Sequence, residues 1–401
     1  MTETDRHRQA NHLNRFEKHP RTTILAVVLI FTIICAGVFS FVYFQRLQRD
    51  QTRPTLFDAA FTYRRSSPVY HHDFCKNQVV PTAAWGDRRY PLYTNSLGFK
   101  DSSPRQVPLT SAVYRLIFMG DSFTEGIGLA YQDTFAGLTA RRLAPCQVEV
   151  LNAAVVSYSP IIYWRKTKYL LEQTGLRFDE MVVFLDISDV RDEAESYYLD
   201  EKNHVRSRLF EDKRTRQAII NRIRKEGAVD SMARFMGILQ SYALPPYWDT
   251  GKWTIDQDLY QQVGQPGLRR MSNYMNRLKN LLDRHGIKLT VAVYPWPAQL
   301  RAGDRDSIHS AYWRDWCRRH EVEFIDYFPV FFEAMSDTPP KTFIDKYFIN
   351  GDAHWNRQGH QLVADIFCER FLSRRPCQPN QSPTKRKSTG LKNSLDRESQ
   401  E

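Results

Sequence analysis

The chain has 401 residues and a formal net charge of +11, from 56 Lys and Arg against 45 Asp and Glu. That length suits one large domain or two small ones. Its six cysteines, Cys35, Cys75, Cys146, Cys317, Cys368 and Cys377, show no CxxC spacing, which argues against a zinc or thiol-redox motif.

In chain order, residues 1–21 form a polar, basic arm carrying Arg6, Arg8, Arg15, Lys18 and Arg21. Residues 22–44 contain no charge, and a run of about 23 residues is long enough to span a bilayer. A cleaved signal peptide has an apolar region of about 7–15 residues and a small-residue cleavage site. This run is longer and leads into Gln45-Arg46. It reads as an uncleaved signal anchor, with a buried core helix as the alternative. The basic excess before it, against Arg46, Arg49 and Arg53 after it, favours a cytoplasmic N-terminus. The remainder then faces the periplasm or the cell exterior, where one or two disulfides are expected and spacing alone cannot pair them.

Residues 45–111 make an extension with many turn signals, including Tyr70-His71-His72-Asp73, Trp85-Gly86 and Asn95-Ser96-Leu97-Gly98-Phe99. Adjacent histidines in a strand point to opposite faces, so His71 and His72 are not expected to share a metal ion. From residue 112 the pattern alternates. Strands are predicted at 114–119, 147–152, 180–185, 288–294 and 323–326. Helices are predicted around 135–143, 161–173, 268–285, 307–320 and 356–373. Such alternation implies an α/β fold: a parallel sheet flanked by helices, with ligand chemistry at the carboxyl ends of the strands.

Residues 190–266 read as a helical, aromatic insert, with Tyr197, Tyr198, Trp248 and Trp253 among its rings and a basic helix around 216–226. It is either a lid whose rings stack on sugars or a packed helical subdomain. Nucleic acid is a poor partner for a segment outside the cytoplasm. Residues 376–401 are Pro-, Ser- and Lys-rich with almost no apolar side chains, and read as a disordered tail.

The strand at 114–119 breaks at Gly120-Asp121-Ser122. A serine just past a buried strand can be a nucleophile if a base, an orienting carboxylate and oxyanion donors converge on it. Near the C-terminus, Asp352-Ala353-His354-Trp355-Asn356 precedes an amphipathic helix and supplies an acid and an imidazole.

Together these two stretches resemble the blocks of the SGNH (GDSL) hydrolase superfamily, over residues 113–373. The extension just before Gly120-Asp121-Ser122-Phe123-Thr124-Glu125-Gly126 resembles membrane-anchored members linked to surface polysaccharides. The two-residue Asp352-to-His354 offset, followed by Trp355-Asn356, is similar to alginate-type sugar O-acetyltransferases. The resemblance implies Ser122 as nucleophile, His354 as general base and Asp352 as its orienting acid, with no metal or cofactor. It implies an oxyanion hole from Ser122, Ser157 and Ser188. Two of these depart from the superfamily pattern: Ser157 stands where Gly is usual, at a backbone position strained for φ > 0, and Ser188 stands where Asn is usual. Tyr294-Pro295-Trp296-Pro297 is expected to shape the pocket rim or to act as a rigid turn. His360 is expected to be structural. The implied function is a membrane-anchored esterase or O-acyltransferase acting on a surface or exported carbohydrate, alongside polysaccharide-assembly proteins. The competing class is a non-catalytic glycan-binding or assembly protein.

Overall fold

A computed structural model describes residues 63–208 and 251–377, most of 21–38, and positions 218 and 221. The chain divides into two compact units, Met1–Thr55 and Leu56–Glu401. In the first, positions 24–34 and 36–38 are helical and expose Ile24, Leu25, Phe31 and Ile33. No helix among the described residues is long and apolar enough to cross a membrane. The span expected at 22–44 extends beyond them, as do the arm at 1–20, most of the basic helix at 216–226 and the tail from 378.

The second unit opens with a hairpin, β1 (Arg64–Ser67) and β2 (His71–Phe74). Six strands follow: β3 (Val79–Trp85), β4 (Arg88–Thr94), β5 (Lys100–Asp101), β6 (Tyr114–Met119), β7 (Val148–Asn152) and β8 (Glu180–Leu185). A second hairpin, β9 (Tyr197–Leu199) and β10 (Val205–Ser207), precedes β11 (Lys288–Val293) and β12 (Glu323–Asp326). Eight of these strands form one sheet in the order β12-β11-β8-β6-β7-β5-β4-β3. The neighbours from β12 to β7 run parallel, and β5, β4 and β3 join antiparallel. The central strands β6 and β8 are almost wholly buried apolar runs, as strands covered on both faces must be.

The main helices are α1 (Phe135–Leu143), α2 (Pro160–Lys168), α3 (Gln265–Arg284), α4 (Ile308–Arg319) and α5 (Arg357–Arg374). They pack in pairs, α1 with α5 and α2 with α3. In α3 the buried residues Leu268, Met271, Met275, Leu278 and Leu282 recur at three- and four-residue steps, which makes one apolar stripe.

Three expectations need correction. The sheet is mixed, because the extension contributes three antiparallel strands to an otherwise parallel core. Trp253 of the insert is a core residue, 2% exposed, whose indole N–H donates to the Ile187 carbonyl at 2.9 Å, and it is no sugar platform. The ordered chain also runs past 375, because Cys377 is bonded to Cys146 with Cα atoms 4.8 Å apart.

Candidate active site

Ser122 stands at the carboxyl end of β6. A Cβ at Gly120 would lie 2.2 Å from Thr124 Oγ1 and 3.1 Å from the Phe184 carbonyl, so only glycine permits the chain to turn there. The Asp121 side chain accepts the Phe123 N–H at 3.0 Å and starts a single helical turn, Ser122–Glu125. Gly126, at φ 73°, ends it.

His354 arrives on the loop before α5. Its carbonyl accepts from Ile349 N–H at 2.8 Å, and Asn356 caps α5 by accepting from Gln358 and Gly359 N–H. Trp355, fully buried, anchors the loop.

The three distant residues meet. His354 Nε2 lies 2.8 Å from Ser122 Oγ, and His354 Nδ1 lies 2.5 Å from Asp352 Oδ1. Asp352 Oδ1 also accepts the His354 backbone N–H at 2.9 Å. With Nδ1–H committed to the carboxylate, Nε2 is the nitrogen that faces the serine as an acceptor. Burial pushes the Asp352 carboxyl up. The charge and hydrogen bonds of His354, together with the Trp85 indole N–H, outweigh that and hold it below the ordinary carboxylate range. The imidazole is clamped between rings, with Phe123 at 4.7 Å and Trp85 edge-on at 5.2 Å.

The loop after β7 is held from several sides. Glu125 Oε2 accepts the Val156 N–H at 2.8 Å, and Arg64 of β1 pairs with the same carboxylate at 2.6 and 3.0 Å, all three groups being buried. Lys166 Nζ bridges the Ala153 carbonyl and Asp73, both at 2.9 Å. Tyr197 Oη donates to the Ser157 carbonyl at 2.9 Å. Ser157 itself sits at φ 60°, the left-handed region that favours glycine, so the loop keeps its shape without the usual residue. Its N–H has no acceptor among the described residues.

His71 and His72 correct the alternation argument. His71 has φ 80°, which breaks the strand geometry and brings the two Nδ1 atoms to 2.7 Å. His72 Nε2–H donates to the Val156 carbonyl at 2.7 Å, so the pair forms a relay of neutral rings that holds the Ser157 loop. Burial depresses both, His71 to about 4 and His72 well below the ordinary histidine value.

Ser188 departs from its expected place in the oxyanion hole. Its hydroxyl and its N–H both donate to Asp186 Oδ1, at 2.5 and 2.7 Å, so neither donor is turned toward Ser122. Tyr294 and Trp296 do not shape a rim. Both are buried, and they donate to Asp121 Oδ1 at 3.4 Å and Asp186 Oδ2 at 2.8 Å. His360 is structural, its Nδ1 accepting the Phe135 N–H at 3.1 Å.

Asp121, Asp186 and Asp189 are buried with carboxylate oxygens within 4.8 Å of one another. Burial, then mutual repulsion, pushes Asp121 and Asp189 well above the ordinary range, and burial raises Asp186 as well. The Ser122 hydroxyl also lies 3.1 Å from Asp121 Oδ2, which offers its proton a second acceptor beside His354. Trp85, Arg64, Glu125, Lys166 and Asp186 are among the contributors that sequence reading did not place at the site.

No protein-family model matches the chain, and no curated protein is similar enough to match it. Solved structures give remote likenesses. The psychrotrophic esterase EstA from Pseudoalteromonas sp. is 12% identical over 65% of this chain and 98% of its own, with a TM-score of 0.35. The acetyl xylan esterase AlAXEase is 15% identical over 64% and 98%, with a TM-score of 0.38. A catalytic mutant of Axe2, an acetylxylan esterase from Geobacillus stearothermophilus, is 12% identical over 65% and 95%, with a TM-score of 0.39. Likenesses this remote carry no argument about activity.

Proposed function

We propose that this chain is a serine enzyme of the SGNH type that acts on ester-linked acyl groups, acetyl foremost, of a surface or exported carbohydrate. The observation that carries the reading is the unbroken line of hydrogen bonds from Ser122 Oγ through the His354 ring to Asp352. In the first half-reaction Ser122 Oγ attacks the acyl carbonyl while its proton passes to His354 Nε2. The tetrahedral intermediate expels the alcohol, which takes that proton back, and the acyl group stays on Ser122. In the second half, water or a sugar hydroxyl gives its proton to His354 and attacks the acyl-serine, and the intermediate expels Ser122 Oγ, which takes the proton back from His354. Water makes the chain an esterase, and a sugar hydroxyl makes it an O-acyltransferase. The Ser157 N–H serves the oxyanion, joined by the Ser122 N–H, which in the resting site also bonds the Asp121 carboxylate.

Residues 22–44, uncharged, support a single-pass anchor with a cytoplasmic N-terminus, in a cell (inner) membrane. The Cys146–Cys377 disulfide supports a periplasmic or extracellular catalytic unit, since disulfides persist in oxidising compartments. Polysaccharide-assembly proteins fit as neighbours, and any transferase needs a separate acyl donor.

A second reading, a glycan-binding or assembly protein of the same fold, is favoured by Ser188. With both its donors on Asp186, Ser188 gives the oxyanion no hydrogen bond, and losing one donor costs about 10²–10³ in rate. A fluorophosphonate probe separates the two. Under the first reading it labels the wild type and not Ser122→Ala, and only the wild type releases p-nitrophenol from its acetate ester. A wild type that neither labels nor releases p-nitrophenol overturns the enzyme reading. Acetate release with and without an oligosaccharide acceptor then distinguishes transferase from esterase.

A further inference from the structure

We infer that Trp85, on the last residue of β3, is a positioning residue of the catalytic relay, which makes the extension part of the active site rather than a spacer. This rests on the serine-enzyme reading above.

Trp85 is 8% exposed and ends β3, where the chain turns through Gly86 and Asp87 into β4 with Trp85 opposite Arg88. Its Nε1–H donates to Asp352 Oδ2 at 2.5 Å. The two carboxylate oxygens are thus divided. Oδ1 serves His354, through Nδ1 at 2.5 Å and N–H at 2.9 Å, while Oδ2 takes the indole as its one hydrogen bond among the described residues. An indole is a donor with no acceptor, so the bond can be made only to the carboxylate and in one sense. The same ring meets the imidazole nearly perpendicular, at 82° with centroids 5.2 Å apart.

One rigid side chain therefore fixes the rotation of the acid and the tilt of the base together. The loop after the serine turn packs on it as well: a Cβ at Gly128 would lie 3.5 Å from the indole Cδ1 and 3.1 Å from Ile349 Cδ1. A carboxylate that shares its charge with a second donor is also a weaker partner for the imidazolium than one that does not.

The test compares Trp85→Phe with Trp85→His in the full chain. Phenylalanine keeps most of the ring and loses the N–H. Histidine places Nε2–H at the ring position of the indole Nε1–H, loses the fused benzene and gains a second, titratable ring nitrogen. With p-nitrophenyl acetate, Trp85→Phe is expected to lose roughly ten- to a hundred-fold in kcat with KM nearly unchanged, as for one hydrogen bond to a charged group. Its acidic limb of kcat/KM should move to higher pH, and Trp85→His should bring the rate back toward wild type at a pH where the new imidazole is neutral.

Rates are normalised to fluorophosphonate-labelled sites, so loss of folded protein does not imitate the effect. A structural role alone would lower the number of sites without moving the limb. The far-downfield proton between His354 and Asp352, assigned by its loss in His354→Ala, gives a readout without turnover. It should shift in Trp85→Phe and return in Trp85→His. A wild type that does not label defeats the serine-enzyme reading, and this proton still decides the geometry. Labelling with an unmoved proton and an unmoved limb in Trp85→Phe overturns the inference about Trp85 alone. Should Trp85→Phe fail to fold, the Trp85→His proton, read at a pH where the new imidazole is neutral, decides: a wild-type position supports the donor role, and a displaced one with the N–H retained overturns it.

Discussion

At the scale of single residues, the site divides into side chains whose chemistry is local and side chains whose partner is remote. Asp352 and His354 lie two residues apart, and their bond closes within one loop. Ser122 comes two residues after a glycine at a strand end. These were legible because each carries a local signature. Trp85 was not, since 267 positions separate it from Asp352 and no spacing rule links them. Ser188 was misjudged for the opposite reason. An Asp two residues before a Ser competes for its hydroxyl and N–H through short-range side-chain bonds, and Asp186-Ile187-Ser188 carried that signal. The part assigned to Asp352 has a direct consequence. Asparagine in its place keeps the size but presents the imidazole with the wrong pattern of donor and acceptor. Asp352→Asn is expected to lower kcat for p-nitrophenyl acetate by about 10⁴, with thermal melting close to that of the wild type. A loss of less than tenfold would remove Asp352 from the relay.

At the scale of elements, the parallel strands were readable because each is a short apolar run bounded by turns, and the helices because their apolar residues recur at helical steps. The antiparallel strands β3 and β4 were not, because Pro81 and Pro91 and many polar residues disguise them. Proline is tolerated where a strand's N–H faces away from a partner, as toward the outer rim of a sheet. The start of α2 shows a cap that sequence proximity hides. Ser159 precedes the helix but makes no side-chain cap bond. Glu193, fully buried and from the segment after β8, accepts the Ile161 N–H at 2.6 Å and the Ser159 hydroxyl at 3.0 Å. Burial pushes its carboxyl up from 4.5 to about 7, against the pull of those two donors. A raised carboxyl binds its proton more tightly in the fold than in the unfolded chain. Its contribution is therefore full below about pH 4.5 and declines as pH rises to about 7. Glu193→Gln keeps the acceptor and cannot ionise. Urea unfolding of the pair should show the wild type losing ground to Glu193→Gln by on the order of 2–3 kcal/mol across that window. A difference independent of pH would show that Glu193 does not titrate there.

At the scale of the whole molecule, the extension and the α/β core, expected to divide near residue 111, belong to one compact unit, Leu56–Glu401. Arg64 holds Glu125, Lys166 holds Asp73, and Trp85 holds Asp352 across that expected boundary. Composition marks the extension as turn-rich but says nothing of buried ion pairs that form only after folding. The covalent closure lies at the opposite end from the candidate site. Helix α5 begins beside His354 and ends where Arg374 bonds Glu180, the first residue of β8, at 2.7 Å, whereas Ser122 follows the last residues of β6. Cys377 lies just beyond that end and is joined to Cys146, which follows α1, across 231 residues. Closing so long a loop restricts the unfolded chain far more than the folded one, in which α1 and α5 already pack together. Cys377→Ser, or reduction of the wild type, is expected to lower unfolding free energy by about 2–4 kcal/mol. The rate at which folded protein reacts with a fluorophosphonate should stay within about twofold, because nothing at Ser122 depends on the bond. Urea titration and labelling kinetics on the same samples measure both. A fall in labelling rate at full folding would show that strain is transmitted along α5 to His354, and that the two ends of the sheet are not independent.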